Sequence, residues 1–225
     1  MRGIFITGTD TGVGKTHLGC ALIRALLDRG ASVRARKPVE SGCARRRGEL
    51  LPADATSLRA AAGNRDAVSV VCPFPLEAPL APSRAAALAG QSLTLAQLLA
   101  ACRRDVGAGD FLVVEGAGGF LSPLTEDALN ADLARGLGLP VLLVAADRLG
   151  AMHQVLATAE AILRRDLPLA AVILNQIEPH RDPRLDNAAE LARWLNTAII
   201  TLPYQSTATP LPPLGALARE ILRDR

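Results

Sequence analysis

Apolar and polar positions follow two rhythms along this chain. Three continuous apolar runs read as strands buried on both faces: Gly3-Ile4-Phe5-Ile6-Thr7, Phe111-Leu112-Val113-Val114-Glu115 and Pro140-Val141-Leu142-Leu143-Val144-Ala145. Ser32 to Lys37, Leu169 to Leu174 and Ala198 to Leu202 read the same way. Between them lie stretches of helical spacing: Lys15 to about Arg29, closed by Gly30, then Leu95 to Val106, then Gly150 to Arg165. Apolar strands separated by helices predict an α/β fold, a doubly wound, mostly parallel sheet with helices on both faces. Ligands of such sheets bind at the carboxyl ends of the strands. Two stretches break the rhythm. Residues 38–53 and 72–83 are rich in Pro, Gly and Ala and exceed ordinary connections, which points to functional loops. The tail around Pro210, Pro212 and Pro213 reads as a loop before a short final helix. With no repeat and no visible boundary, the chain is expected to form a single domain, 1–225.

Composition narrows the function without naming it. Hydrophobic residues make up 49% and charged residues 21%, enough for a full core. A net charge of +3 is too small to argue for nucleic acid, and 3% aromatics leaves no stacking platform for single strands. Arg45-Arg46-Arg47 reads as a solvated loop. Cys20, Cys43, Cys72 and Cys102 are widely spaced with no C-x-x-C pair, which predicts free thiols rather than a zinc site or disulfides. The N-terminus lacks the pattern of a signal peptide, and no apolar run is long enough for a bilayer. A soluble, cytoplasmic protein with no membrane or nucleic-acid partner is the expectation. One bias stands out: two of the 25 basic positions, Lys15 and Lys37, are lysine and the rest arginine. Arginine is a broad planar fork and lysine a compact point charge, so the two lysines are candidates for work arginine cannot do.

Lys15 lies in Gly8-Thr9-Asp10-Thr11-Gly12-Val13-Gly14-Lys15-Thr16, between a strand and a helix. This is the arrangement of a phosphate loop. Its glycines let backbone N–H groups turn toward phosphates, and the helix N-terminus adds a favourable dipole. Lys15 can reach the β- and γ-phosphates, and the Thr16 hydroxyl can ligate Mg²⁺. Five residues separate Gly8 from Gly14, one more than in the common motif. A phosphate-bound Mg²⁺ wants one or two carboxylates as well. Glu115 ends an apolar strand just before Gly116-Ala117-Gly118-Gly119, where a Walker-B acid belongs. Asp54 reads either as a second metal ligand or as an acid at a helix N-terminus.

Together these motifs resemble the dethiobiotin synthetase family of P-loop NTPases. The matching segments are the phosphate loop, Lys37-Pro38-Val39-Glu40-Ser41-Gly42, Asp54, Glu77-Ala78-Pro79-Leu80-Ala81-Pro82, Glu115-Gly116-Ala117-Gly118-Gly119 and Asn175. The resemblance implies an ATP- and Mg²⁺-dependent cyclo-ligase. Its substrates would be 7,8-diaminopelargonate and CO₂, joined through a carbamate and a carbamic-phosphoric anhydride. Lys37, Lys15 and Thr11 would then be catalytic. Gly12, Val13, Gly14, Lys15, Thr16 and His17 would hold the phosphates, with Gly116, Ala117 and Gly118 lining the opposite side. Asn175, Gln176, Pro203, Tyr204 and Gln205 would meet the adenine. Thr16, Asp54 and Glu115 would surround Mg²⁺. Ser41 would contact the carbamate, while Gly150, Ala151 and His153 would bind the distant substrate carboxylate from a neighbouring subunit, which implies a homodimer.

Gly12, Ser83, His153 and Asn187 depart from residues common in the family; none of these departures removes an implied phosphate or metal contact, and they bear instead on how the diamine would bind. Two other readings remain open. A cobyrinate diamide synthetase-like amidoligase would carry a glutaminase domain, for which the chain shows no nucleophilic Cys elbow. A switch ATPase of the division-site or partitioning type would show a second lysine in the phosphate loop, where this chain reads Thr9-Asp10-Thr11-Gly12.

Overall fold

The computed structural model describes residues 1–204 and 212–223. Its elements are β1 (Arg2–Gly8), α1 (Lys15–Leu27), β2 (Ser32–Arg36), β3 (Val39–Glu40), β4 (Ala44–Arg46), β5 (Glu49–Leu51), α2 (Ala53–Ala61) and α3 (Val68–Val71). There follow β6 (Phe74–Pro75), α4 (Pro82–Leu88), α5 (Leu95–Arg103), β7 (Asp110–Gly119), α6 (Asn130–Leu137) and β8 (Val141–Ala146). The chain continues through α7 (Ala151–Leu163), β9 (Leu169–Asn175), α8 (Asn187–Ala192), β10 (Ala198–Leu202) and α9 (Pro212–Arg223).

Six strands form one parallel sheet in the order β10-β9-β8-β1-β7-β2, as the doubly wound expectation requires. Its strands are covered on both faces, so period-two alternation sorts side chains between two helical layers. Ile4 and Ile6 meet Leu18 and Leu22 of α1, Leu58 of α2, and Leu214 and Leu217 of α9. Phe5, Leu112 and Val114 join the other cluster, with Leu98 of α5, Leu133 of α6 and Val155 of α7. From β1 the chain crosses to β2 past β7, and from β7 it crosses to β8 past β1. The loops after β1 and β7 therefore leave in opposite directions and open a crevice between them.

Several expectations need correction. β7 does not stop at Glu115 but continues to Gly119, because β1 still has an edge to pair: Gly119 lies opposite Gly8. The irregular stretch 38–53 contains β3 and a β4–β5 hairpin, and 72–83 contains β6, which pairs with β3. The Arg45-Arg46-Arg47 run is that hairpin rather than a loop, with Arg47 and Gly48 at positive φ in its turn. α9 takes in Pro212 and Pro213, so these two prolines belong to a helix instead of preceding one, and Pro210 lies outside the described residues. Proline is tolerated in a first turn, where the missing N–H has no intrahelical acceptor anyway. α3, α6 and α8 are further helices within stretches that carried no prediction; α2 bears out the reading of Asp54 as an acid at a helix N-terminus, and α4 begins at Pro82, inside the stretch 72–83 read as a loop. No described helix is long and apolar enough to cross a membrane. All four cysteines are buried free thiols, as their spacing predicts.

Candidate active site

The phosphate loop follows β1 and ends at Gly14, whose φ of 94° lies in the left-handed region. A Cβ there would collide with the amide nitrogen of Asn175, so position 14 admits only glycine without rearrangement. Asn175, at the end of β9, donates from Nδ2 to the Val13 carbonyl at 3.0 Å. That bond ties the loop to a strand two places away in the sheet. Lys15 curls over the loop, with Nζ donating to the Asp10 carbonyl at 2.7 Å. Burial is the main cause that lowers its pKa to about 8, and nearby Lys37 adds to it against the opposing pull of Glu115.

Strand parity brings the acid and the second lysine to the same side. Glu115 has the parity of Phe111 and Val113, which face α1 and α2. Lys37, just past β2, has the parity of Val33 and Ala35, in the same layer. There Lys37 Nζ donates to Glu115 Oε1 at 2.5 Å and to Asp54 Oδ2 at 2.7 Å. Thr16 Oγ1 donates to the same Glu115 oxygen at 2.8 Å. Burial by itself would lower the Lys37 ammonium, but Glu115 and then Asp54 outweigh it and hold it above the usual lysine range. The Glu115 side chain is fully buried, and its Oε2 has no hydrogen-bond partner among the described residues. A buried bare carboxylate oxygen is costly unless something binds it.

One cleft of about 340 Å³ gathers most of the predicted residues. Thr11, Gly12, Gly14, Lys15, Thr16 and His17 line its loop side. Lys37, Ser41 and Asp54 line it as well, and β7 contributes Glu115, Ala117 and Gly118. Val13 contributes its carbonyl, while its side chain is buried in the core. Gly116 packs against Asn130 and Phe5 rather than lining the cleft. Gln176 bonds to the Glu178 and Pro179 carbonyls, and Pro203 and Tyr204 lie exposed after β10. Gln205 lies outside the described residues. The structure does not bring Gly150, Ala151 and His153 into this cleft. They open α7, beside Leu149, which is 86% exposed.

The family model described as an AAA domain matches residues 2–211. An ATP-dependent dethiobiotin synthetase of Anaeromyxobacter dehalogenans (strain 2CP-C) is 47% identical over 194 residues, 86% of this chain and 85% of its own. One from Ruthia magnifica is 42% identical over 180 residues, 80% of this chain and 82% of its own. The chain belongs to the ATP-dependent dethiobiotin synthetase family.

Solved structures add the fold and no more. A MinC:MinD cell division complex from Aquifex aeolicus matches at TM-score 0.59 and 14% identity, over 100% of this chain and 97% of that one. A ParA family ATPase from Chlorobium tepidum matches at 0.54 and 13%, over 99% of this chain and 91% of that one. Within the synthetase family frame, two site residues escaped sequence reasoning. Asn130 is fully buried and brackets the glycine run, accepting from Ala117 N–H at 3.1 Å and donating to the Gly119 carbonyl at 2.8 Å. Glu40 lines the cleft and accepts from the Asp54 and Ala55 N–H groups at 3.0 and 2.9 Å. An Asn in no periodic segment carries no signal, but Glu40 beside Lys37 and Ser41 could have been read from its neighbours.

Proposed function

We propose that this chain closes the ureido ring of dethiobiotin from 7,8-diaminopelargonate, CO₂ and ATP. The single observation that carries the reading is a second lysine, Lys37, buried in the same cleft as the phosphate-loop lysine and between two carboxylates. One amine of the diamine takes up CO₂ and loses a proton, giving a carbamate. A carbamate oxygen attacks the γ-phosphorus and ADP departs. The second amine then attacks the carbonyl carbon and gives up a proton, phosphate leaves with the C–O electron pair, and the cyclic urea forms.

Carbamate and γ-phosphate are both anions, so their approach needs cations between them. Lys15 and Lys37, both lining the cleft, supply two. The donor set fits Mg²⁺: a hydroxyl from Thr16, a carboxylate from Asp54, and the bare Oε2 of Glu115 are hard oxygens. Mg²⁺ bound there would neutralise charge on the β- and γ-phosphates. Lys37 would then exchange its two carboxylate partners for oxygens of the γ-phosphate and carbamate. Thr11 and Ser41 face the same space and would orient the carbamate. Asn175 and Gln176, with 203–205, would frame the adenine. In a homodimer, the start of α7 would come from the second subunit, its helix N-terminus facing the substrate carboxylate.

The test incubates purified protein with 7,8-diaminopelargonate, bicarbonate, ATP and Mg²⁺ and looks for the cyclic urea by mass spectrometry. Urea formation is expected. ATP turnover without urea would overturn the reading and favour an ATPase switch.

A further inference from the structure

We propose that Glu40 is a positioning residue for Asp54, capping α2 from another strand so that the metal-binding carboxylate is held in place. The inference rests on the reading of Asp54 as a metal ligand. The N-cap of α2 is Pro52, whose side chain carries no acceptor. The first-turn N–H groups of Asp54 and Ala55 must therefore find one elsewhere. Ala55 is fully buried, so water is a poor substitute. Glu40 is 6% exposed and gives one carboxylate oxygen to each donor. A carboxylate at a helix N-terminus also meets the positive end of the dipole.

The geometry turns this cap into a site component. The hydrogen bond from Asp54 N grips the residue at its own backbone, while its side chain reaches Lys37 Nζ at 2.7 Å. The Asp54 side chain is 44% exposed and has little packing to fix it. Its aim is set by its backbone, hence by Glu40. Glu40 is itself fixed, since its carbonyl accepts from Leu76 N–H at 2.7 Å across the β3–β6 pair. One short segment thus presents Lys37 and Ser41 to the cleft and holds the acid that faces them.

The test titrates Mn²⁺, followed by electron paramagnetic resonance, onto full-length protein holding a non-hydrolysable ATP analogue. Glu40→Ala should weaken Mn²⁺ binding about tenfold, the usual scale for a group supporting a metal ligand. Glu40→Gln keeps shape and one acceptor and should fall between. ADP affinity in EDTA should stay unchanged in both. Leu58→Ala loosens the same helix without touching the cap, so it should lower the melting temperature and leave Mn²⁺ affinity intact. Equal Mn²⁺ loss in Leu58→Ala would make Glu40 merely structural and overturn the proposal. Asp54→Asn separates the layers. If it weakens Mn²⁺ and Glu40→Ala does not, the proposal alone fails. If Asp54→Asn has no effect, the metal reading of Asp54 fails and the proposal falls with it.

Discussion

β2 feeds two charged clusters built on opposite principles. Arg34 and Arg36 point one way, Lys37 the other. In the arginine cluster both carboxylates are saturated. Asp66 accepts Arg34 at one oxygen at 2.5 Å and Arg36 at the other at 2.6 Å. Asp110 takes Ser32 and Arg65 on one oxygen and Arg34 and Gly107 N–H on the other. The Ser32 hydroxyl and the Gly107 N–H hold the Asp110 carboxyl well below the usual range. Arg36 Nε is a buried donor of that cluster without an acceptor among the described residues. In the lysine cluster an oxygen of Glu115 stays bare and an open cleft adjoins it. Forked guanidinium groups lock partners in fixed geometry, whereas an ammonium on a flexible stem can trade partners. One cluster is a bracket and the other a socket.

The largest expected effect breaks the bracket. Arg36 is fully buried, so Arg36→Met leaves an Asp66 oxygen and the Arg104 carbonyl unpaired. Loss of one partner of a buried pair costs about 3–5 kcal/mol, which for this chain length lowers the melting temperature by roughly 10 °C. ATP affinity of the folded fraction should stay the same; a calorimetric loss of ATP binding without a fall in melting temperature would erase the distinction between the clusters.

Lys37→Arg tests the socket. The charge remains but the fork does not fit between Asp54 and Glu115, so turnover should fall about 100-fold, roughly 2.7 kcal/mol in the barrier. ATP affinity of the folded protein should barely move. Unchanged turnover would remove Lys37 from the mechanism.

A smaller effect follows from Lys15, lowered to about 8 by burial first. A triphosphate binds its protonated form, so ATP affinity should drop about tenfold between pH 7 and pH 9, as linkage to one group of that pKa requires. The ligand-free protein changes in the opposite sense. Its folded pKa lies below the unfolded lysine value, so the unfolded state binds more protons between them, and this site adds stability as pH rises above about 8. Calorimetry at the two pH values checks the first, and Lys15→Met should flatten the profile. The smallest effect belongs to Arg45→Ala. Its pair with Glu77 is exposed, and such pairs contribute little, so the melting temperature should not change.

The central sheet was legible because buried parallel strands announce themselves as apolar runs, although β2, Ser32-Val33-Arg34-Ala35-Arg36, is apolar only at alternate positions. α6 was not legible, since its N-cap is Leu129, and α2 was legible only through the alternative reading of Asp54 as an acid at a helix N-terminus, because its cap comes from the distant Glu40. The loop motif, Lys37, Asp54 and Glu115 were legible as separate residues, and twelve of the predicted positions meet in one cleft.

By itself the sequence determined the strands, the phosphate loop after the first of them, and the resemblance in motif order. All of these are carried by residues close along the chain. Only the tertiary structure decided that Lys37 sits on Glu115, 78 positions away, and that Glu40 caps the helix bearing Asp54. Such meetings depend on which strand lies beside which. That order is set by crossovers packing whole helices onto the sheet, and no local pattern of residues encodes it.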